Sequence, residues 1–317
     1  LPTEGTMISN SFRRTAGVTA TAAAVALGLA ACGAAQEAEG DGEGNLLEQL
    51  QEQGSITVAF AGEIPYSWET EDGELTGATI ALDREIYSAM GIDNVEGQYV
   101  DWDALIPGLN KGEYDSVSAG MSILPDRCAQ ASFSDPALMY TTGLMVPEGN
   151  PMGLSDLQSV IDSDAQLAVQ SGTIEQGYAD DLGIANPEVV QSSQDGMAAV
   201  SSGRVDAFAL TAISLRSMAE DNPDSAVEVT DAFVAEIDGV PQVSAGATVF
   251  RDADTDLLEA YNEQLDAIVS DPERFEEVVG EFGFTEAERP ADGLTTEMFC
   301  EGTDEDLQEA AEIQENK

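Results

Sequence analysis

Ala119–Pro136 reads A-G-M-S-I-L-P-D-R-C-A-Q-A-S-F-S-D-P and places one arginine, Arg127, just past an apolar run typical of a buried strand. Basic residues are scarce in this chain, with 11 Lys and Arg against 61 Asp and Glu. The guanidinium of arginine offers a planar fork of donors that matches a carboxylate. Arg127 therefore fits either the carboxylate of a ligand or a structural salt bridge to a nearby acid, and the stretch alone leaves both open.

Strand-like and helix-like patterns alternate on both sides of this stretch. Strand patterns cover 55–61, 114–121, 167–170, 188–190 and 205–209, and helical spacing covers 78–90, 175–182, 194–202 and 213–219. Such alternation indicates parallel sheets covered by helices, which is an α/β fold. About 260 ordered residues are many for a single core. We therefore expect two lobes.

Five short motifs follow one another in an order that resembles a known family. They are G-E-L-T-G at 73–77, I-P-G-L at 106–109, G-M-S-I-L-P-D-R with F-S-D-P at 120–136, S-G-T at 171–173 and G-R-V-D-A at 203–207. The series resembles the polar amino-acid branch, family 3, of the extracytoplasmic solute-binding proteins of ABC importers. Each motif is weak alone, and their order over roughly residues 54–300 carries the resemblance.

The resemblance implies a type II periplasmic-binding-protein-like fold of two lobes, with two parallel-core sheets flanked by helices and a two-strand hinge. The first lobe would hold residues 54–144 and 248–300, and the second lobe would hold residues 148–243. Two closing helices of the first lobe would lie between 256 and 284. Two crossing strands would carry glycines that absorb hinge motion: Leu144–Val146 with Gly143, and Ser244–Val249 with Gly246.

The ligand site of such a fold lies outside the carboxyl ends of the strands. The resemblance implies that Arg127 binds the carboxylate of the ligand, and Thr173 would hold it from the opposite lobe at a helix N-terminus. Tyr66 and Trp102 would offer aromatic faces and Glu63 a negative charge, which together suit a compact cation. Trp102 would also suit a core or surface position, and the role of Glu63 rests on its place in the sequence.

Two departures from the family pattern bear on the ligand. Amino-acid binders of the family carry an aspartate for the α-ammonium shortly after G-R-x-D-A, and this chain has Thr211 there. A ring-delocalised cation with a carboxylate is thereby favoured, and A-G-E-I-P-Y, L-I-P-G-L and T-T-E-M-F-C resemble the ectoine- and hydroxyectoine-binding subunits. Those subunits have an aromatic residue after the position of Met121, where this chain has Ser122, so Trp68 or another side chain would have to supply one wall. The expected site comprises Glu63, Tyr66, Trp102, Met121, Ser122, Arg127, Thr173 and Thr211.

The first residues predict export. Residues 1–31 read as a signal peptide with an upstream extension before Met7, and L-A-A-C at 29–32 resembles a lipoprotein cleavage site with Cys32 as the lipidated residue. A transmembrane anchor is the alternative, although the apolar run is shorter than the roughly 20 residues that span a bilayer. Residues 32–53 would be a flexible acidic linker. Residues 301–317 would be an acidic tail, with a frayed helix as the alternative.

Composition excludes several functions. The formal net charge of −50 disfavours nucleic-acid binding and suggests a salt-rich source, and the chain has no histidine for triad catalysis or zinc ligation. Cys128 and Cys300 are expected to form a disulfide, with two unpaired buried thiols as the alternative. Asp252, Asp254 and Asp256 would cap a following helix rather than bind calcium. No metal or cofactor is expected.

These observations favour a monomeric, non-catalytic receptor that passes a small zwitterionic solute to the permease and ATPase subunits of an importer. Glycine betaine or a polar amino acid is the alternative to ectoine. A sensor with the same lobes and a lipoprotein enzyme acting on a small zwitterion are the other classes. The enzyme is disfavoured because the chain has no histidine and no recognisable activated nucleophile.

Overall fold

The structure, a computed structural model, describes residues 45–317. The strands of this part of the chain are β1 Ser55–Phe60, β2 Trp68–Glu69, β3 Leu75–Thr76, β4 Asn94–Tyr99, β5 Ser116–Ser122, β6 Ser132–Phe133, β7 Leu138–Tyr140, β8 Thr142–Pro147, β9 Leu167–Gln170, β10 Glu188–Val190, β11 Ala207–Thr211, β12 Val227–Val229, β13 Glu236–Ile237, β14 Val240–Pro241 and β15 Ser244–Phe250. The helices are α1 Leu46–Gln53, α2 Ala78–Ala89, α3 Leu105–Asn110, α4 Pro125–Cys128, α5 Leu157–Ser163, α6 Ile174–Asp181, α7 Ser193–Ser201, α8 Ala212–Asp221, α9 Thr255–Val269, α10 Pro272–Val279, α11 Thr296–Glu301 and α12 Asp304–Glu315. The two-lobed α/β prediction is confirmed.

The first lobe is built on a sheet in the order β4-β1-β5-β15-β6, with β7 also paired to β15. β1 runs parallel to β4 and β5, and β15 runs antiparallel to β5. Apolar clusters cover both faces: α2, α9 and α10 pack on one, and α3, α11 and α12 pack on the other. Both faces of the central strands are therefore buried, which accounts for their nearly continuous apolar or small residues.

The second lobe is built on a sheet in the order β10-β9-β11-β8-β12. β9 runs parallel to β10 and β11, and β8 runs antiparallel to β11 and β12. Helices α5 and α6 bury one face of this sheet, and α7 and α8 bury the other. Both sheets are therefore mixed, with a parallel core and antiparallel strands added.

The strands predicted to cross between the lobes each lie wholly in one sheet. Leu144–Val146 falls inside β8 of the second sheet, and Ser244–Val249 falls inside β15 of the first. The crossings instead lie at Thr141, between β7 and β8, and just before β15. Gly246 is needed for packing rather than for a hinge, because a Cβ there would lie 1.6 Å from the hydroxyl oxygen of Tyr140.

Both ends of the described chain are more ordered than composition predicted. α1 occupies most of 45–53, begins with the Asn45 side chain accepting from the Leu47 amide at 3.0 Å, and buries Leu50. Residues 46–53 of the predicted linker are therefore helical. α12 forms most of the predicted tail, begins with a capping box at Thr303, and buries Ala310 against the first lobe. Apolar residues at helical spacing outweighed the acidic composition in both segments.

Cys128 at the end of α4 and Cys300 in α11 form a disulfide, with an S–S distance of 1.99 Å and a Cα–Cα distance of 5.6 Å.

The prediction for the three aspartates before α9 is wrong in its detail. Asp254 occupies the N-cap position without a capping hydrogen bond and pairs with Arg251 at 2.7 Å, while Asp252 accepts from Ser132 at 2.8 Å.

The predicted signal peptide, Cys32 and the start of the linker lie outside the described residues. Between residues 45 and 317, no helix is long and apolar enough to span a bilayer. The same part of the chain has no group of acidic or cysteine side chains placed to hold a metal ion.

Candidate functional site

A narrow cavity lies between the two lobes, at the carboxyl ends of parallel strands from both sheets. Its volume is about 20 Å³, which leaves room for about one water molecule. The residues that line it are Glu63, Tyr66, Trp102, Ala119, Gly120, Ser122, Arg127, Tyr140, Thr173, Ile174, Glu175, Leu210 and Thr211. The lobes are therefore closed over the site in this structure.

Arg127 enters the cavity from α4, directly after β5. Its guanidinium donates to the Ser122 carbonyl at 2.8 Å and to the Gly172 carbonyl at 2.7 Å, and it lies 5.8 Å from the centre of the Trp102 ring. Burial lowers the pKa of Arg127 to about 10, so the group remains positively charged at neutral pH. A guanidinium has five N–H donors, and donors remain for a carboxylate.

The Gly172 carbonyl joins the two lobes. It lies in the turn after β9 of the second lobe and accepts from Arg127 and from the Trp102 indole at 3.1 Å, both of the first lobe. Gly172 has a φ of +76°, a left-handed conformation that favours glycine. Its amide donates to the Gln176 side chain at 2.7 Å, which fixes the turn.

Glu63 follows β1 and is buried at the floor of the cavity. It accepts from the Ser214 hydroxyl at 2.7 Å and from the Thr211 hydroxyl at 3.4 Å, and both donors belong to the second lobe. Burial raises the pKa of Glu63, and these two hydroxyls oppose the rise. This contact is a second polar connection between the lobes.

Tyrosine rings form the wall of the cavity beside β5 and β7. Tyr66 packs edge-on against Tyr140 and Phe284, each at 5.4 Å between ring centres. The Tyr140 hydroxyl donates to the Gly120 carbonyl at 2.5 Å, and the Tyr66 hydroxyl has no hydrogen-bond partner among residues 45–317. Gly120 allows this approach, since a Cβ there would lie 2.7 Å from the Tyr140 oxygen.

Glu175 is an acidic residue of the cavity that sequence reasoning missed. It lies in the first turn of α6, is 1% exposed, and neither carboxylate oxygen has a hydrogen-bond partner in the described part of the chain. Burial raises the pKa of the Glu175 carboxyl to about 7, and the negative charge of Glu63 adds to the rise; the backbone amide of Glu175, the Thr173 hydroxyl and the charge of Arg127 oppose it. Its position two residues after S-G-T was the available signal, obscured by the abundance of acids.

The structure brings seven of the eight predicted site residues to the cavity: Glu63, Tyr66, Trp102, Ser122, Arg127, Thr173 and Thr211. Met121 is not among the described lining residues, because its side chain points into the core of the first lobe and is 2% exposed. The Thr173 hydroxyl donates to the Gln170 carbonyl at 3.0 Å. Trp68 packs on Phe282 with ring centres 6.0 Å apart and is likewise not among the described lining residues.

One tyrosine, one serine and one glycine were also missed. Tyr140 forms part of the wall, Ser214 binds Glu63, and Gly172 accepts from Arg127 and Trp102. Ser214 and Tyr140 lie in segments where the sequence shows ordinary helix and strand patterns, so only the folded arrangement identifies them.

Two related proteins are similar to this chain over most of their length. A probable amino-acid ABC transporter periplasmic-binding protein, y4tE, of Sinorhizobium fredii (strain NGR234) is 31% identical to this chain over 225 residues. The aligned region covers 69% of this chain and 74% of the relative's length. ABC transporter arginine-binding protein 1 of Escherichia coli K12 is 28% identical over 218 residues, covering 65% of this chain and 82% of its own.

The crystal structure of EhuB in complex with hydroxyectoine has a similar fold. It superposes with a TM-score of 0.67 at 28% identity, covering 83% of this chain and 98% of EhuB. The sequence profile of the bacterial extracellular solute-binding proteins, family 3, matches residues 56–277. This match spans both sheets and every described cavity-lining residue, and the chain therefore belongs to family 3 of the bacterial extracellular solute-binding proteins, which are binding proteins rather than enzymes.

Proposed function

We propose that this protein captures a small solute carrying a carboxylate and a positive group in the interlobe cavity, for delivery to the permease and ATPase subunits of an ABC importer. The observation that supports this proposal is the presence of Arg127 and Glu63 in one closed cavity. Arg127 is the partner for the carboxylate and Glu63 the partner for the positive group. Both relatives described above are named as ABC transporter binding proteins.

Ectoine and hydroxyectoine are the first ligand candidates. The EhuB structure was determined with hydroxyectoine bound, and the overall folds are similar. The cavity of this chain offers Glu63 for the delocalised cation and the rings of Tyr66 and Trp102 for cation–π contacts. Ser122 offers no aromatic face where the resembling subunits place an aromatic ring, so we expect weaker or broader binding than an enclosed aromatic cage would give.

A positively charged amino acid is the second candidate. One relative is named as an arginine-binding protein, and the cavity contains a second acid, Glu175, besides Glu63. A monomer suits either candidate, because one chain supplies both lobes and the closed cavity between them.

Calorimetric titration tests the receptor function. The protein would be unfolded and refolded to remove any bound solute, then titrated with ectoine, hydroxyectoine, glycine betaine, arginine and glutamine in high salt. Saturable micromolar or tighter binding of one class is expected, with no new product after long incubation. Absence of binding by every solute would contradict the proposal, and turnover of the solute would indicate an enzyme instead.

Lipid anchoring through Cys32 is a separate proposal. It is supported by the sequence L-A-A-C at 29–32 after an apolar run. Cells expressing the full chain would be grown with a labelled fatty acid. We expect label in the wild-type protein and none in Cys32→Ser, which should appear in the medium. Label in both variants would contradict the anchor.

A further inference from the structure

The charged groups that line the cavity do not balance. Two carboxylates, Glu63 and Glu175, face a single guanidinium, Arg127. Glu63 already accepts hydrogen bonds from Thr211 and Ser214, whereas both oxygens of Glu175 lack partners among residues 45–317. The cavity therefore has one acid, Glu63, that accepts two hydrogen bonds at Oε1, and one acid, Glu175, that accepts none among residues 45–317.

Arg127 does not satisfy Glu175 in the closed structure. Its Nη1 and Nη2 atoms donate to the backbone carbonyls of Ser122 and Gly172, and no ion pair joins Arg127 to Glu175 in the described part of the chain. The ionisable groups that interact electrostatically with Glu175 are Glu63, Arg127, Tyr66 and Tyr178. Arg127 is the only cation in this set, and it is also the partner proposed for the solute.

A buried carboxylate without hydrogen bonds is costly, because desolvation of a polar group is not offset unless a partner replaces water. A buried, perturbed acid that lies in a cleft is therefore a candidate for contact with a ligand. Glu175 is 1% exposed and its side chain lines the cavity. Its partner is thus expected to come from the solute.

We infer that Glu175 receives a second positive group of the solute, and that it ranks solutes by their number of positive groups. This inference rests on the proposed function and deepens it. The matching ligand class is a small monocarboxylate with two separate positive groups, whose net charge of about +1 complements the excess acid of the lining. Glu63 would then pair with the α-ammonium of the solute, and Glu175 with the positive group of its side chain.

Arginine and citrulline form a matched pair for the test, because they share the carboxylate, the α-ammonium and the chain length and differ in the charge of the side chain. In the wild-type protein we expect arginine to bind at least about tenfold more tightly than citrulline. Glu175→Gln should weaken arginine binding by about 10- to 100-fold and change citrulline binding less than about twofold. Glu220→Gln, an exposed acid of α8, is the control.

Proton release gives a second readout. The pKa of Glu175 lies at about 7, so the free carboxyl is partly protonated near neutral pH. A cation at Glu175 lowers that pKa, and arginine binding should release a larger fraction of a proton from the wild-type protein than from Glu175→Gln. Titration in two buffers of different ionisation enthalpy measures it. Circular dichroism and melting temperature check that each variant is folded.

The outcomes separate this inference from the receptor function. Suppose that ectoine or citrulline binds with the same affinity as arginine, and that Glu175→Gln changes none of these affinities. The receptor function is then supported and the inference about Glu175 is overturned. If Glu175→Gln weakens arginine and citrulline equally, Glu175 has a structural role and the inference is again overturned. If no solute binds the refolded protein, the receptor function and the inference are both contradicted.

Discussion

Arg127 is held in position by backbone carbonyls before any solute is considered. Ser122 and Gly172 orient the guanidinium, and the Trp102 ring lies beside it. Because these contacts fix the side chain, little rotamer entropy is left to lose when a carboxylate binds. In the closed structure Arg127 is therefore preorganised for the carboxylate role proposed above.

Arg127→Ala should weaken binding of the best solute about 100-fold or more, since hydrogen bonds to a charged partner contribute about 1.5–3 kcal/mol each. Isothermal titration calorimetry measures the affinity. Arg204→Ala is the matched control, because Arg204 is an exposed arginine of the second lobe that pairs with Glu188 at 2.7 Å. Equal affinities for wild type and Arg127→Ala would exclude the carboxylate role.

Asp83 gives a second residue-scale prediction, in the core of the first lobe. Its Oδ1 accepts from Tyr261 at 2.7 Å, Oδ2 has no partner among residues 45–317, and burial raises the pKa of Asp83 from 3.8 to about 6. The folded state therefore holds the proton more tightly than the unfolded state. The stability that this proton contributes is present below pH 4 and is lost as the pH rises through 6.

Asp83→Asn mimics the protonated form and keeps the Oδ1 acceptor. As the pH rises from 4 to 7, the unfolding free energy of Asp83→Asn should increase relative to that of wild type by on the order of 2–3 kcal/mol. Urea titrations at pH 4, 5, 6 and 7 measure this difference. Asp126→Asn, an exposed acid of α4, controls for the change in net charge. A difference that does not vary with pH would argue against the raised pKa.

At the scale of elements, the C-terminal helices are part of the first lobe. The disulfide ties α11 to α4, and α12 packs against both the first lobe and β14. Gln314 of α12 accepts from the Ala291 amide at 2.9 Å and donates to the Arg289 carbonyl at 3.0 Å. Cys128 adjoins Arg127, so this bridge supports the turn of α4 that carries Arg127.

Replacing both Cys128 and Cys300 by serine should lower the unfolding free energy by about 2–5 kcal/mol, because the bridge closes a loop of 172 residues in the unfolded chain. Urea unfolding measures the loss. Adding a reductant to the wild type should reproduce it and should leave the double variant unchanged. Equal midpoints for the oxidised wild type and the double variant would show that the bridge does not stabilise the fold.

Sequence predicted the elements better than their junctions. The buried strands and the amphipathic helices have strong periodicity, and the arginine after β5 could be located from a short motif. The crossing at Thr141 could not be located from the sequence, because strand patterns run nearly without interruption from Leu138 to Pro147. Glu175 was missed because its burial depends on closure of the lobes, which no local pattern in a chain with 61 acids reveals.

The whole molecule carries a formal net charge of −50. Most of these carboxylates lie on the surface, where they repel one another over about 30 Å at 0.01 M salt and about 3 Å at 1 M. The folded state concentrates this charge more than the unfolded chain does. Salt should therefore stabilise the fold by screening rather than by binding to a particular site.

The melting temperature should rise by more than about 5 °C between 0.02 M and 1 M sodium chloride. Calorimetric melting at several concentrations measures the rise, and sodium chloride is preferable to sulfate because sulfate also strengthens apolar burial. Sucrose at matched osmolality is the control for general solute exclusion. A melting temperature independent of sodium chloride would show that self-repulsion contributes little.

The Gly172 carbonyl would set a limit on how fast the proposed receptor responds to its solute. Arg127 and Trp102 both donate to it across the cleft, and Ser214 and Thr211 donate across the cleft to Glu63. A solute has to wait until these bonds break, however concentrated it is. The observed association rate, followed by indole fluorescence, should level off at the opening rate, and substitutions that weaken the Gly172 contacts should raise that plateau and shorten residence times together.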